Sequence, residues 1–361
     1  MNDSLFYHIA LSMIYSDRYK LAKAGLHDVE SIQAICETLH ADRNRRSEMD
    51  DAFRKAEKEL RFMQQHGVEA VCIEQSHYPT ALQSIPDAPL VLYWQGQDWT
   101  RWSHKLAFVG TRKASLYGLT ATEQLIQEVS VAHAETCIVS GLAYGIDVAA
   151  HKAALKEGLP TIAILAHGLQ EIYPKVHGNY AERIREKGAL VTEYPWGTPP
   201  LAWRFLNRNR LIAGMSSACV VVESAPKGGS MSTAKQALDY GRDVYACPGR
   251  INDYHSKGCH QLIKNQIAQL IESGSELTDA LGWTSADPDK TDRQLSLFEA
   301  LNPLQTRIVE ILPMGDSMHL DQLCIHTGLS PAAMMSEVFD LEQKGMIRSL
   351  SGGFFTRASG K

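Results

Sequence analysis

The stretch Thr136–Gly168 reads TCIVSGLAYGIDVAAHKAALKEGLPTIAILAHG. Two short apolar runs, TCIVSG and PTIAILAHG, flank GIDVAAHKAALKEG, whose apolar residues recur at helical spacing. Neither run alternates polar with apolar residues. Each strand must therefore be covered on both faces, as in a parallel sheet with helices on either side. The same unit continues outward. KLAFVG precedes it, and ALVTEY, ACVVVES and DVYACPG follow, with the amphipathic segments LTATEQLIQEVSVAHA and SMSTAKQALDYG among them. The pattern predicts a doubly wound α/β domain, whose ligands bind beyond the C-terminal ends of the strands.

The chain has 361 residues, 44% hydrophobic and 21% charged, which is ordinary for a globular protein and ample for more than one domain. No apolar run approaches the ~18 residues of a membrane-spanning helix. The first residues, MNDSLFYHIALSMIYSDRYK, carry Asp3 and lack a basic start, so no secretory leader is expected. Seven cysteines occur without a CxxC pair or a Cys/His cluster at zinc spacing. Cys137, Cys219 and Cys247 sit in apolar runs, which predicts buried thiols in a reducing cytosol and no metal. The net charge of −5 argues against a protein coated in DNA, but phosphate binding responds to local charge, so a basic groove is allowed.

Four regions emerge. LFYHIALSMI and DDAFRKAEKELRFMQQHG show helical spacing, predicting a helical domain over 1–65. The sheet domain follows over 66–285. TSADPDKTDRQ is polar and contains proline, so 286–300 reads as a linker. NPLQTRIVEIL, HLDQLCIHTG and SPAAMMSEVFDLEQKGM then predict three helices, and IRSLSGGFFTR two strands around Gly352-Gly353. That succession over 301–361 predicts a winged helix-turn-helix.

Four strand-following loops are rich in glycine and small polar residues: VGTRKASLYG (Val109–Gly118), SGLAYGID (Ser140–Asp147), KGGSMST (Lys227–Thr233) and CPGRINDYHSKG (Cys247–Gly258). Glycine lets backbone approach a ligand, and helix N-termini present free N–H groups to anions. Near them in sequence lies WRFLNRNRLIAG (Trp203–Gly214), with three arginines and no Asp or Glu between Glu193 and Glu223. Together these predict a phosphate site. No GxGxxG opens the first helix and no GxxxxGK[ST] is present, so neither dinucleotide nor Walker chemistry accounts for it.

VGTRKASLYG, SGLAYGIDVAAH, FLNRNRLIAG, ESAPKGGSMSTA and CPGRINDYHSKGCHQLIKNQ, in this order, resemble the DNA-processing protein A (DprA/Smf) family. HYPTALQSIPDAPLVLYWQG resembles that family's lead-in, and the likeness spans about residues 77–285. The resemblance implies an extended Rossmann-like core, and the two ends match the family in layout only. The N-terminal helices match as a SAM-like or helix-hairpin-helix module, where IYSDRYKLAKAG lacks a Gly-x-Gly hairpin and points to scaffolding, and the C-terminal end as a winged helix. The resemblance implies a cytoplasmic homodimer that binds single-stranded DNA and loads RecA during natural transformation, with no cofactor and no catalytic step. Arg112, Lys113, Arg208 and Arg210 would hold phosphates, with Asn209 bonding a base or the backbone; the alternative for Arg208 and Arg210 is a structural pair bridged to Asp147 or Glu223, one of the two serving the fold. Phe205 would stack on a base. Ser140, Gly141, Gly228, Gly229, Ser230, Ser232 and Thr233 complete the implied DNA-binding set. The chain departs from the family where many members carry proline and then a basic residue after the Phe; here Leu206 and Asn207 stand instead.

Four further features admit more than one reading. Asp147 and His151 share a helix face, but no Ser-His-Asp or metal set is completed, so Asp147 is expected to cap its helix and His151 to pack beside it. KGGSMSTA also resembles the PGGxGT loop of nucleotide phosphoribohydrolases, the enzymatic alternative. Those enzymes carry a glutamate shortly after the Thr; here Lys235 and Gln236 stand there, and no carboxylate follows until Asp239. The presumed recognition helix of the winged helix carries Glu337, Asp340 and Glu342 against Lys344, a poor match for DNA phosphates. Met334, Met335, Val338, Phe339 and Leu341 are instead expected to supply core and a protein-contact surface. Within the linker, Gln294, Leu295, Leu297 and Phe298 form QLSLF, which looks like a sliding-clamp docking peptide or, alternatively, an apolar anchor.

Overall fold

The computed structural model describes residues 3–26, 31–283, 302–312, 318–343, 346–350 and 353–357. It divides into two compact units, Met1–Thr284 and Ser285–Lys361. The QLSLF segment lies outside the described residues.

The first unit opens with α1 (Asp3–Ser12), α2 (Arg18–Lys23), α3 (Ile32–Ala41) and α4 (Arg46–His66). Asp17 and Ser31 cap α2 and α3 by accepting the Lys20 and Ala34 N–H groups. Gly67, at φ 60°, ends α4 in the left-handed conformation that glycine adopts without strain. Ile9, Leu11, Ile35, Met49 and Ala56 are buried in the same apolar cluster as Val71, Leu92 and Val191 of the sheet. The helices read from sequence as a 1–65 domain thus share one core with the strands that follow.

Next come β1 (Glu69–Cys72), α5 (Thr80–Gln83) and β2 (Val91–Gly96). The winding part follows as β3 (Lys105–Gly110), α6 (Leu116–Ala132), β4 (Cys137–Ser140), α7 (Ile146–Lys156), β5 (Thr161–Ile164), α8 (Gly178–Lys187), β6 (Ala189–Thr192) and α9 (Ala202–Met215). It closes with β7 (Ala218–Glu223), α10 (Gly229–Asp239), β8 (Asp243–Ala246), α11 (Lys257–Lys264), β9 (Gln269–Leu270) and α12 (Gly274–Ala280). One sheet runs in the order β1-β2-β6-β5-β4-β3-β7-β8-β9. β1 pairs β2 and β2 pairs β6 antiparallel, while β6 through β9 are parallel. Every residue of β4, β5, β6 and β7 is buried, which is why these strands read as unbroken apolar runs. The chain builds outward from β3 to β6, then returns through α9 to lay β7 on the other side of β3. The reversal opens a crevice beyond the C-terminal ends of β3 and β7, the place where such sheets bind ligands.

The second unit contains α13 (Pro303–Ile311), β10 (Met318–His319), α14 (Leu320–Thr327), α15 (Pro331–Gln343), β11 (Ile347–Leu350) and β12 (Phe354–Arg357). Asn302 and Gln305 form a capping box at α13. The sheet order is β10-β12-β11, antiparallel, so the expected hairpin gains a third short strand. Met334, Val338 and Leu341 are buried with Ile308 and Leu323, while Met335 and Phe339 of the same helix are exposed. Three helices and this small sheet make a winged helix.

Candidate nucleic-acid interface

At the reversal point lies a cavity of about 290 Å³. Its walls come from four places. The loop after β3 supplies Thr111 and Arg112, α9 supplies Phe205, Arg208 and Asn209, the N-terminus of α10 supplies Gly228, Gly229, Ser230 and Thr233, and the turn into α7 supplies Ala143 and Asp147. Phe205, Arg208, Asn209 and Ile212 are spaced i, i+3, i+4 and i+7, one face of a helix, and that face meets the cavity.

Arg208 is 2% exposed. Its guanidinium donates to the carbonyls of Gly141, at 2.9 Å, and Ile164, and its Nε to Asn209 Oδ1 at 3.2 Å. Burial presses the group down to about 10, with Asp147 opposing that shift, so it stays charged at neutral pH. Gly141 lies directly under this group, and a Cβ there would press on the Arg208 guanidinium. Burial raises the Asp147 carboxyl above its ordinary range, against the pull of Arg208 and the N–H groups of Ala143 and Gly141. The helix cap is Gly145; Asp147, expected as the cap, lies inside the first turn and ties down the preceding loop. His151 is fully buried beside Thr161 Oγ1 at 2.7 Å, and burial holds it down at about 3, neutral at physiological pH.

Arg112 is exposed, and its guanidinium lies 5.2 Å from the centroid of the Phe205 ring. Phe205 is half-buried and also meets Tyr173, at 5.6 Å between ring centroids. Tyr173 carried no sequence signal; it lies in a loop apart from all the glycine-rich segments. Below this rim Gly228 precedes α10 as an N-cap without a side chain, so the helix N-terminus and its dipole face the cavity. Ser230 Oγ donates to Ser224 Oγ at 2.8 Å, which fixes the loop that leads in.

The remaining residues anticipated from sequence fall elsewhere. Arg210 does not join Arg208: two positions apart on a helix, their side chains point to opposite faces. It is 7% exposed and pairs with Glu193 and with Asp87, the latter at 3.6 Å, beside Asn207 and Trp203 in a different cavity. Ser140 is fully buried and donates to the Phe108 carbonyl at 2.6 Å, so with Gly141 it shapes the loop behind the cavity. Lys113 lines the adjoining groove, and Ser232 is exposed on α10 away from the lining. Six cysteines are buried, with burial raising thiols such as Cys219 to about 12, and none is paired in a disulfide. In the winged helix, Glu337 accepts from Gln305 and Glu342 from Ser349, so two of the three acids on α15 serve internal bonds.

A doubly wound sheet with an arginine–aromatic rim over a glycine-led helix N-terminus at its reversal point defines a Rossmann-like protein with a cationic, aromatic crevice at its switch point. Residues 69–282 match the family model described as DNA recombination-mediator protein A, and residues 298–353 match the DprA winged helix domain. The chain belongs to the DNA recombination-mediator protein A family. Protein Smf of Escherichia coli (strain K12) is 34% identical over 304 residues, 82% of this chain and 80% of that protein. DNA processing protein DprA of Streptococcus pneumoniae is 41% identical over 200 residues, 55% of this chain and 70% of that protein. The X-ray structure of the Streptococcus pneumoniae protein superposes with a TM-score of 0.63 at 33% identity, covering 77% of this chain and 93% of that one. A structure of DNA processing protein A from Helicobacter pylori, described for its single-stranded DNA binding mode, gives 0.54 at 29% identity over 59% of this chain and 95% of that one.

Proposed function

We propose that this chain binds single-stranded DNA in the reversal-point cavity and, as a cytoplasmic homodimer, loads RecA on incoming DNA during natural transformation. The observation that carries this reading is Arg112 stacked on Phe205 above the glycine-led start of α10. A phosphodiester meets a cation and free N–H groups there, while an unpaired base meets an aromatic face. A duplex keeps its bases stacked inside and cannot use the ring, so the cavity favours single strands. The described single-strand binding of the Helicobacter pylori relative supports the same reading.

The role is binding rather than catalysis. Asp147, the carboxylate in the cavity wall, is 8% exposed and lies under the pull of Arg208. Lys235 and Gln236 follow Thr233 where a phosphoribohydrolase would carry its acid. Steady release of base from nucleoside monophosphates, abolished by changes in Gly228–Thr233, would favour that enzymatic alternative. No described helix is long and apolar enough to cross a membrane. QLSLF adds a sliding clamp as a further proposed partner, on sequence alone.

The test is a titration of single- against double-stranded oligonucleotides at two salt concentrations, with RecA added to the complex. Preferential single-strand binding followed by faster RecA filament assembly is expected. Equal affinity for duplex, or no effect on RecA, would overturn the corresponding half of the proposal.

A further inference from the structure

The cavity beside the first one is larger, about 600 Å³, and lies over α6 and α7. Arg112 lines both, so the two adjoin at that residue. We propose that this groove is a second subsite, which receives the nucleotides of the same strand that run on past Arg112. The proposal rests on the single-strand reading of the first cavity and extends it.

Four cations face the groove: Arg112, Lys113, Lys152 and Lys156. The one acid in its lining, Glu123, is bonded to Lys156 and so offers little repulsion to a phosphate. Lys152 is aimed by the Tyr180 ring, with Nζ 4.7 Å from its centroid. Tyr144 is 49% exposed at the lip and presents a face on which a base can stack. It is not a loose side chain. Its ring meets His177 edge-on at 5.1 Å, and His177 Nδ1 is 2.8 Å from the Leu142 carbonyl. Leu142 itself is held at φ 53°, a left-handed conformation costly for a leucine. Gly145 follows at φ 76°, where a Cβ would meet the Thr111 carbonyl at 2.1 Å. These constraints press the turn flat against the β3 loop and leave Tyr144 standing out. An aromatic face, an aimed ammonium and a neutralised acid repeat, one step along, the chemistry of Phe205 and Arg112. A flexible polyanion with exposed bases fits both.

Oligonucleotide length separates the two subsites. Fluorescence anisotropy on the full chain would compare a short oligothymidine confined to the first cavity with one about three times longer. Tyr144→Ala with Lys152→Ala is expected to bind the short probe as the parent does and the long probe about fivefold or more weakly, with a salt slope smaller by about 0.7. Tyr144→Phe with Lys152→Arg should restore the long-probe affinity. Unchanged long-probe affinity in the alanine pair, while Arg112→Ala weakens both probes, would overturn the second subsite alone. Equal loss on both probes would also overturn it, placing Tyr144 and Lys152 at the first cavity. If Arg112→Ala and Phe205→Ala leave short-probe binding unchanged, the first reading fails and this one with it.

Discussion

Glu59 on α4 is 4% exposed, and its Oε1 accepts the Trp196 N–H at 2.8 Å. Burial raises its carboxyl from an ordinary 4.5 to about 7, the Trp196 bond opposing that shift. The folded state therefore holds the proton more tightly than the unfolded chain does. The stability this confers is fully present below the unfolded value and is lost as pH rises through 7. At about 1.4 kcal/mol per unit, the charge costs the folded state about 3 kcal/mol in alkaline solution. Glu59→Gln keeps an acceptor for Trp196 and removes the charge. All six tryptophans lie in the first unit, so their fluorescence reports its unfolding alone. In urea titrations the variant and parent should be nearly equal at about pH 4.5, and the variant more stable by about 3 kcal/mol at about pH 8. A difference that does not change with pH, or a variant less stable than the parent at the higher pH, would show that burial does not raise the Glu59 carboxyl.

Gly141→Ala forces the new Cβ onto the Arg208 guanidinium and breaks bonds from a buried charge, so urea unfolding should show a loss of about 2 kcal/mol or more. Unchanged stability would mean that Arg208 finds other partners without cost. A chain ending at Trp283 should keep most single-strand affinity, because α15 carries three acids, one of them the exposed Asp340, and no basic residue to meet a phosphate; tight duplex binding by the segment from Leu301 onward would contradict this. A peptide spanning Asp292–Asn302 should bind the sliding clamp and lose that binding on Leu297→Ala with Phe298→Ala. No binding at high micromolar clamp would remove the clamp from the list of partners.

The parallel strands were legible because β4 to β7 are buried on both faces and carry no polar alternation. The same logic hid β9: its two residues, Gln269 and Leu270, are exposed and leave no apolar run. Strands β1 and β2 extend the sheet antiparallel from the far edge, and no sequence periodicity tied them to β6. The glycine-rich loops marked the strand ends correctly, since the need for close backbone contact at Gly141 is local. What sequence proximity blurred was the arginines. Arg208 and Arg210 read as one patch, yet helix geometry sends them to opposite faces, one to the cavity and one to Glu193 and Asp87. The acid that neutralises Arg210 stands 17 residues away in sequence, which is why the patch looked free of carboxylates.

In the proposed complex Arg112 grips a phosphate and Phe205 stacks a base at the reversal point. Single-strand affinity measured across a salt series for the parent, Arg112→Ala and Phe205→Ala tests both halves at once. Both side chains are at least partly exposed, so neither change should unfold the chain. Arg112→Ala should weaken binding and reduce the slope of log affinity against log salt by about 0.7. Phe205→Ala should weaken binding by about 1–3 kcal/mol and leave that slope nearly unchanged, because stacking releases few counterions. Parent-like affinity in both variants would contradict the account.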